Sequence, residues 1–263
     1  MPNFAANLTM LFTELDFFDR FAAAARSGFR GVEYLFPYDY PKEQLVEVLQ
    51  KNRLTQVLHN LPAGNWGSGD RGIACDPNRV GEFQDGVGRA IEYAEALNCK
   101  QLNCLVGIVP SGVAQAKAEE TVAQNLKWAA PRLGARGIKL LVEPINRYDI
   151  PGFCLSRTDQ TIEVLSAAGD ENLFLQYDAY HMQMAEGNLA NTITKHLLRI
   201  AHVQVADVPG RHEPGTGEIH YPFLFRLLDK LGYAGWIGCE YKPVGATEAG
   251  LGWIASFQNG VKA

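Results

Sequence analysis

Four oxygen-bearing side chains stand at matching places in four separate apolar runs: Glu143 in LLVEP, Asp178 in LQYDAYH, Gln204 in HVQVAD and Glu240 in IGCEY. Each run reads as a β-strand, and each polar residue falls at its C-terminal end. A carboxylate that ends a buried strand is costly unless hydrogen bonds or an opposite charge compensate it. Three carboxylates and an amide converging from neighbouring strands call for a shared cation or for strongly raised pKa values. The donors are hard oxygens, so the expected cofactor is one divalent ion, Mg²⁺ or Mn²⁺. Zinc would ordinarily recruit histidine or cysteine, and His181 and His202 are offset from the ligand positions. A centre of this kind suits reactions in which negative charge develops on substrate oxygens. His181, three residues after Asp178, is expected to bond a substrate oxygen or to orient a ligand. His59, at the end of another apolar run, is assigned to substrate binding in the same way. Trp66 is a candidate cap over the pocket, whereas His212 and His220 fall in a polar loop and are expected to face solvent.

The elements that must position these groups alternate along the whole chain. Strand candidates begin at Phe4, Gly31, Thr55, Gln101, Lys139, Leu173, Ala201 and Trp236. Several are continuous apolar runs, as expected of strands covered by helices on the outside. Helical patterns lie between them: Asp16 to Ser27, Lys42 to Asn52, Val80 to Leu97, Ala114 to Arg136, Thr158 to Ala168, Leu189 to Leu198, Tyr221 to Leu231 and Thr247 to Phe257. Eight strand–helix units in 263 residues match the size of a (β/α)8 TIM barrel, and nothing in the composition divides residues 1–263 into more than one domain. An open doubly wound sheet is the alternative, but its glycine-rich phosphate fingerprint is missing after the first strand. Two connectors, PAGNWGSGDRGIACDP and VPGRHEPGTGEIHYP, are long enough to be functional loops on the active-site face.

Composition removes several function classes. Hydrophobic residues make up 47% and charged residues 20%, ordinary for a soluble enzyme. A net charge of -5 without a basic stripe argues against nucleic acid as a partner. The N-terminal segment lacks the basic start of a signal peptide, and no run approaches the roughly 20 apolar residues of a membrane span. Five scattered cysteines without a CxxC pair fit reduced thiols in the cytoplasm. Oligomeric state is not legible, and a homo-oligomer is compatible with the sequence.

The segments FAANLTMLF, GVEYLFPYDY, LHNLPAGNWGSGDRGIAC, LNCLVG, VEPIN, IPGF, QYDAYHMQ, GRHEPGTGEI and GWIGCEYKP carry a resemblance that runs nearly end to end. The chain resembles the hydroxypyruvate isomerase family of the xylose-isomerase-like barrels. That resemblance implies Glu143, Asp178, Gln204 and Glu240 as metal ligands, with Glu143 and Glu240 doubling as the acid/base pair. It implies a small 2-oxo acid as substrate, converted through an enediolate, in the setting of glyoxylate use. Related ketose 3-epimerases place a histidine on the seventh strand where this chain has Gln204, a departure that keeps the site all-oxygen. The substrate carboxylate would then need a cation, and Arg211 is favoured over Lys242 and Arg71 because guanidinium binds carboxylate with two hydrogen bonds. A 2-oxo-tetronate isomerase is the alternative within the family. A repair endonuclease and a non-catalytic metabolite-binding barrel are the alternatives outside it.

Overall fold

The computed structural model describes residues 2–258. Eight parallel strands close into a barrel in chain order. They are β1 (Asn3–Asn7), β2 (Gly31–Glu33), β3 (Thr55–Asn60), β4 (Gln101–Cys104), β5 (Lys139–Val142), β6 (Leu173–Asp178), β7 (Ile200–Val205) and β8 (Trp236–Cys239). The ring shuts where Asn3 to Ala6 of β1 pair with Trp236 to Cys239 of β8. Helices α1 (Phe17–Arg26), α2 (Lys42–Asn52), α3 (Val80–Ala96), α4 (Gln115–Gly134) and α5 (Thr158–Ala168) pack outside the first half of the barrel. The second half is covered by α6 (Ala179–Ala185), α7 (Leu189–His196), α8 (Tyr221–Lys230) and α9 (Gly252–Gln258).

Local chemistry explains where these elements stop. In β5, Leu140, Leu141 and Val142 are buried in succession, because one face meets the barrel interior and the other the helices. The apolar run that starts at Leu173 ends earlier than its hydrophobicity suggests. Asp178 accepts a hydrogen bond from the Tyr180 backbone N–H at 2.8 Å and so caps α6, an extra helix that the alternation of strands and helices does not announce. The last helical pattern is likewise split, into a 3₁₀ turn at Thr247–Gly250 and α9.

The interior is layered. Ala5, Val57, Leu58 and Leu141 form an apolar cluster of their own inside the barrel. Polar side chains gather at the C-terminal ends of the strands, the end where barrel enzymes carry their sites. Both long connectors fold over that end. The one after β3 is tied down where Gly72 (φ 114°) pairs with Val106. A Cβ there would sit 2.1 Å from the Leu105 carbonyl oxygen, so only glycine allows the approach. The connector after β7 is organised by buried Asp207, whose carboxylate accepts from the N–H groups of Val208, Gly215 and Ile219 at 2.8–3.0 Å.

Candidate active site

The pocket at the barrel mouth has a volume of about 120 Å³ and is lined by Glu143, Gln204, Glu240, His181 and Arg211 together with Asn7, Asn60, Asp149 and Gln176. Leu35, Trp66, Ile145 and Ile150 supply its apolar wall. This volume is small beside the roughly 300–1,000 Å³ of sites for drug-sized ligands, so it suits a molecule of a few carbons. Several of these groups, and the adjoining Asp178, owe their place to a strand end. Asn7, Asn60 and Asp178 are the last residues of β1, β3 and β6, while Glu143 and Glu240 directly follow β5 and β8.

Glu143, Asp178, His181 and Glu240 bring one donor atom each to within 4.8 Å of one another, all of them buried. Glu143 accepts at Oε2 from Asn103 (3.2 Å) and Gln176 (3.0 Å), yet its Oε1 is buried without a partner. Asp178 repeats the pattern: Oδ1 is engaged by the α6 cap, and Oδ2 has no hydrogen-bond partner. Burial raises the Glu143 carboxyl well above the usual carboxylate range, and the neighbouring Glu240 and Asp178 push it further. Burial lifts Glu240 to about 8 and Asp178 to about 6, in both cases against the pull of Arg211. Orphaned, desolvated oxygens of like charge facing a common centre are what a divalent cation satisfies, so the donor set fits such an ion.

His181 enters the cluster geometrically, but its tautomer assigns it another part. The Asn146 side-chain oxygen accepts from the N–H groups of Tyr148 (3.0 Å) and Asp149 (2.9 Å), which turns its NH₂ toward His181 Nδ1 at 2.7 Å. Nδ1 therefore accepts, and the ring proton lies on Nε2, 3.6 Å from Asp178 Oδ2 and 4.0 Å from Glu143 Oε1. Burial, helped by Arg211, depresses its pKa well below the usual value, so the ring is neutral. It faces the centre as a hydrogen-bond donor. Arg211 reaches the same centre from the connector after β7. Its Nη2 donates to Glu240 Oε2 at 2.7 Å and lies 3.7 Å from Asp178 Oδ2; its Nη1 is 3.7 Å from Asp149 Oδ2. The guanidinium lies over the Tyr180 ring at 5.0 Å, and its Nε is buried without a partner.

Two residues expected at the site lie elsewhere. His59 is fully buried but sits between the lining residues Leu58 and Asn60, so strand alternation turns it outward. Its ring packs 6.0 Å from that of Tyr38, against α3, and burial lowers its pKa to about 3. Lys242 follows Glu240 by two residues, yet its side chain is exposed and lines no part of the pocket. Its backbone does the work there, donating to the Arg211 carbonyl at 2.7 Å and accepting from His212 Nδ1 at 2.8 Å. Arg71 stays in its loop, over the Trp66 ring at 4.3 Å. Gln204 lines the pocket with its oxygen toward Gln176 (2.7 Å) and its NH₂ toward Glu33 (2.7 Å).

Sequence reasoning passed over Glu33, Asn7, Asn60, Asn103, Gln176, Asn146 and Asp149. A signal was present for the first of these: Glu33 is a carboxylate inside the otherwise apolar run GVEYLF. The amides gave less, because isolated asparagines and glutamines in strands have no diagnostic spacing.

Comparison with known proteins bears on what this pocket serves. A family model described as xylose isomerase-like TIM barrel matches residues 21–257. The hydroxypyruvate isomerase of Escherichia coli (strain K12) is 53% identical over 258 residues, 98% of this chain and 100% of that protein. The 2-oxo-tetronate isomerase of Cupriavidus necator is 45% identical, with 98% of this chain and 99% of the relative covered. Among solved structures, a Brucella melitensis protein described as AP endonuclease, family 2, superposes with a TM-score of 0.96 at 44% identity, covering 98% and 99% of the two chains.

Proposed function

Because the chain belongs to the xylose isomerase-like TIM barrel family, we propose that it is a cytoplasmic isomerase interconverting hydroxypyruvate and 2-hydroxy-3-oxopropanoate (tartronate semialdehyde). The observation that carries this reading is the pair of orphaned oxygens, Glu143 Oε1 and Asp178 Oδ2, beside Glu240 in a pocket of about 120 Å³. Glu143, Asp178, Gln204 and Glu240 are the residues that would hold one Mg²⁺ or Mn²⁺. Such an ion supplies positive charge to substrate oxygens on which negative charge develops.

The chain's own groups account for the rest. The reaction moves a carbonyl between neighbouring carbons, which requires a proton to leave the hydroxyl-bearing carbon, a proton to be delivered to the former carbonyl carbon, and the hydroxyl proton to pass from one oxygen to the other. Glu143 and Glu240 form the acid/base pair: burial raises both carboxyls and Glu240 pushes Glu143 further, so a proton can rest on one of them while the other accepts. His181 Nε2–H donates to a substrate oxygen, and Asn146 keeps that tautomer in place. Arg211 offers its free Nε–H to the substrate carboxylate. Trp66 and Ile145 limit water at the mouth.

The name carried by the Brucella melitensis relative raises a nuclease reading. A small pocket with Arg211 as the one lysine or arginine among its described lining residues, in a chain of net charge -5, favours a small acid over a polyanion. The deciding experiment is a substrate panel of hydroxypyruvate and 2-oxo-tetronates, run with chelator and with Mn²⁺ or Mg²⁺ restored. Hydroxypyruvate is expected to give the highest kcat/KM, activity is expected to vanish with chelator, and product formed in deuterated water is expected to carry deuterium on carbon. Preference for the four-carbon acids would move the substrate assignment to the alternative. Turnover without any solvent deuterium would replace proton transfer by a hydride shift.

A further inference from the structure

Glu33 is fully buried beneath the pocket and plays no part in the chemistry described above. Its two oxygens accept from three side chains on two other strands, β1 and β7. Oε1 takes Asn7 Nδ2 at 3.1 Å and Gln204 Nε2 at 2.7 Å; Oε2 takes His202 Nε2 at 2.7 Å. Space for it is made on β8, where a Cβ on Gly238 would sit 2.4 Å from Oε1 and 2.5 Å from Oε2.

Each donor passes an orientation onward. Asn7 has its oxygen fixed by the Thr9 N–H (3.1 Å), so its NH₂ bridges Glu33 and Glu240 Oε1, the latter at 3.1 Å. Gln204, with its NH₂ held on Glu33, must present its oxygen to Gln176 (2.7 Å), whose NH₂ then also reaches Glu143 Oε2 at 3.0 Å. Were Gln204 to turn over, two NH₂ groups would face each other and the bond to Gln176 would be lost. His202 is set in turn by Gln101, which donates to Nδ1 at 3.2 Å and leaves the proton on Nε2 for Glu33. Two amide arms therefore run from one carboxylate to the outer oxygens of both Glu240 and Glu143.

We propose that Glu33 is a positioning residue for proton transfer: as a double acceptor beneath the barrel mouth, it fixes the amides of Asn7 and Gln204 and, through them, the carboxylate planes of Glu240 and Glu143. The proposal rests on the isomerase reading for its kinetic consequence, and on geometry alone for its structural one. The hydrogen-bond partners of Glu33 are Asn7, Gln204 and His202, not Arg211 or His181, the groups assigned to the substrate, so its loss acts on the rate step more than on substrate binding.

The test compares Glu33→Ala, Glu33→Gln and Gly238→Ala with the wild type, by steady-state kinetics, thermal melting and crystal structures of metal-free protein. In folded Glu33→Ala, kcat is expected to fall about 30-fold or more while KM stays within about threefold. The glutamine variant is expected to recover at least about tenfold of that loss, because its oxygen can still accept from Asn7 and Gln204 while its NH₂ faces His202, whose tautomer exchanges when the Gln101 amide turns over. The crystal structure of the alanine variant is expected to have the Glu240 and Glu143 carboxylates rotated from their wild-type planes. Wild-type kcat in Glu33→Ala, or a glutamine variant no better than alanine, overturns the proposal. If Glu33→Ala does not fold, Gly238→Ala displaces the carboxylate by steric contact, and unchanged kcat there overturns it equally. Should the wild type fail to isomerise hydroxypyruvate, the substrate reading falls by itself. Unrotated Glu240 and Glu143 in the variant structures would still sink the positioning claim.

Discussion

The barrel mouth holds two buried groupings of acid and histidine that meet different fates. In the upper one, Glu143, Asp178, Glu240 and His181 crowd together with two carboxylate oxygens unbonded. In the lower one, Glu33 and His202 have hydrogen-bond partners for both carboxylate oxygens and both ring nitrogens. Burial and chemical type are alike, so neither distinguishes them. What differs is whether the fold completes the polar shell itself. A completed shell stabilises the structure, whereas an incomplete one is held open by the surrounding fold for something that arrives from outside.

The sharpest way to break that contrast is Glu240→Gln. An upper-cluster carboxylate that moves protons should, when replaced by its amide, cost about 10³-fold or more in kcat, roughly 4 kcal/mol of transition-state stabilisation. Melting temperature should hold or rise, since a desolvated carboxyl among like charges is removed. Retention of a tenth of the activity, with metal bound, would return Glu240 to a structural part.

His202→Ala asks the converse question of the lower grouping. It strips Glu33 Oε2 of its donor and leaves a void in a fully buried place. Together these should cost roughly 3 kcal/mol of folding stability, read from urea unfolding. A loss below about 1 kcal/mol would mean that the lower shell is no better completed than the upper one, and the contrast would dissolve.

The contrast also has a pH signature. Glu240 and Asp178 have folded pKa values near 8 and 6, above their ordinary 4.5 and 3.8, and Glu143 is raised in the same direction. Between the unfolded and folded values, the folded chain holds protons that the unfolded chain has released. Stability of metal-free protein must then fall as pH rises from about 5 to about 8. A decline on the order of 10 °C in Tm is expected, at about 2–4 °C per kcal/mol for a chain of this size. Added Mn²⁺ should flatten the slope, because it favours the ionised carboxylates. A Tm that climbed over this window in chelator would reverse the sign and count against buried, proton-holding acids.

How much of this was open to sequence reading depends on where each residue sits along its strand. The barrel was legible, because eight apolar runs alternating with amphipathic stretches leave few other ways to cover both sheet faces. Glu143, Asp178 and Glu240 were legible as well: a carboxylate at the end of an apolar run stands out. His59 misled because strand-end proximity says nothing about face, and one residue of offset turns a side chain from pocket to helix layer. His181 was expected near the site, but its tautomer depends on Asn146, which belongs to a loop 35 residues earlier. Glu33 was hidden by its own satisfaction, since its three partners come from β1 and β7, far away in sequence.

The smallest effect expected is at Lys242, and it tests whether charge near the mouth matters by position or by contact. Lys242 and Arg211 both belong to segments bordering Glu240, and sequence alone offers either as a cation for an acidic substrate. Arg211 is turned inward, half-buried over the Tyr180 ring and bonded to Glu240, whereas the Lys242 side chain is exposed. The contacts that Lys242 makes with Arg211 and His212 use backbone atoms, which alanine retains. At ~0.15 M salt an exposed ammonium is screened over about 8 Å. Lys242→Ala should therefore leave kcat/KM within about twofold at that ionic strength, and lower it slightly more at low salt, where steering of an anionic substrate reaches further. A tenfold loss that persisted at high salt would place the ammonium on the substrate. The connector after β7 would then have to move on binding, carrying Lys242 inward through its backbone bond to Arg211.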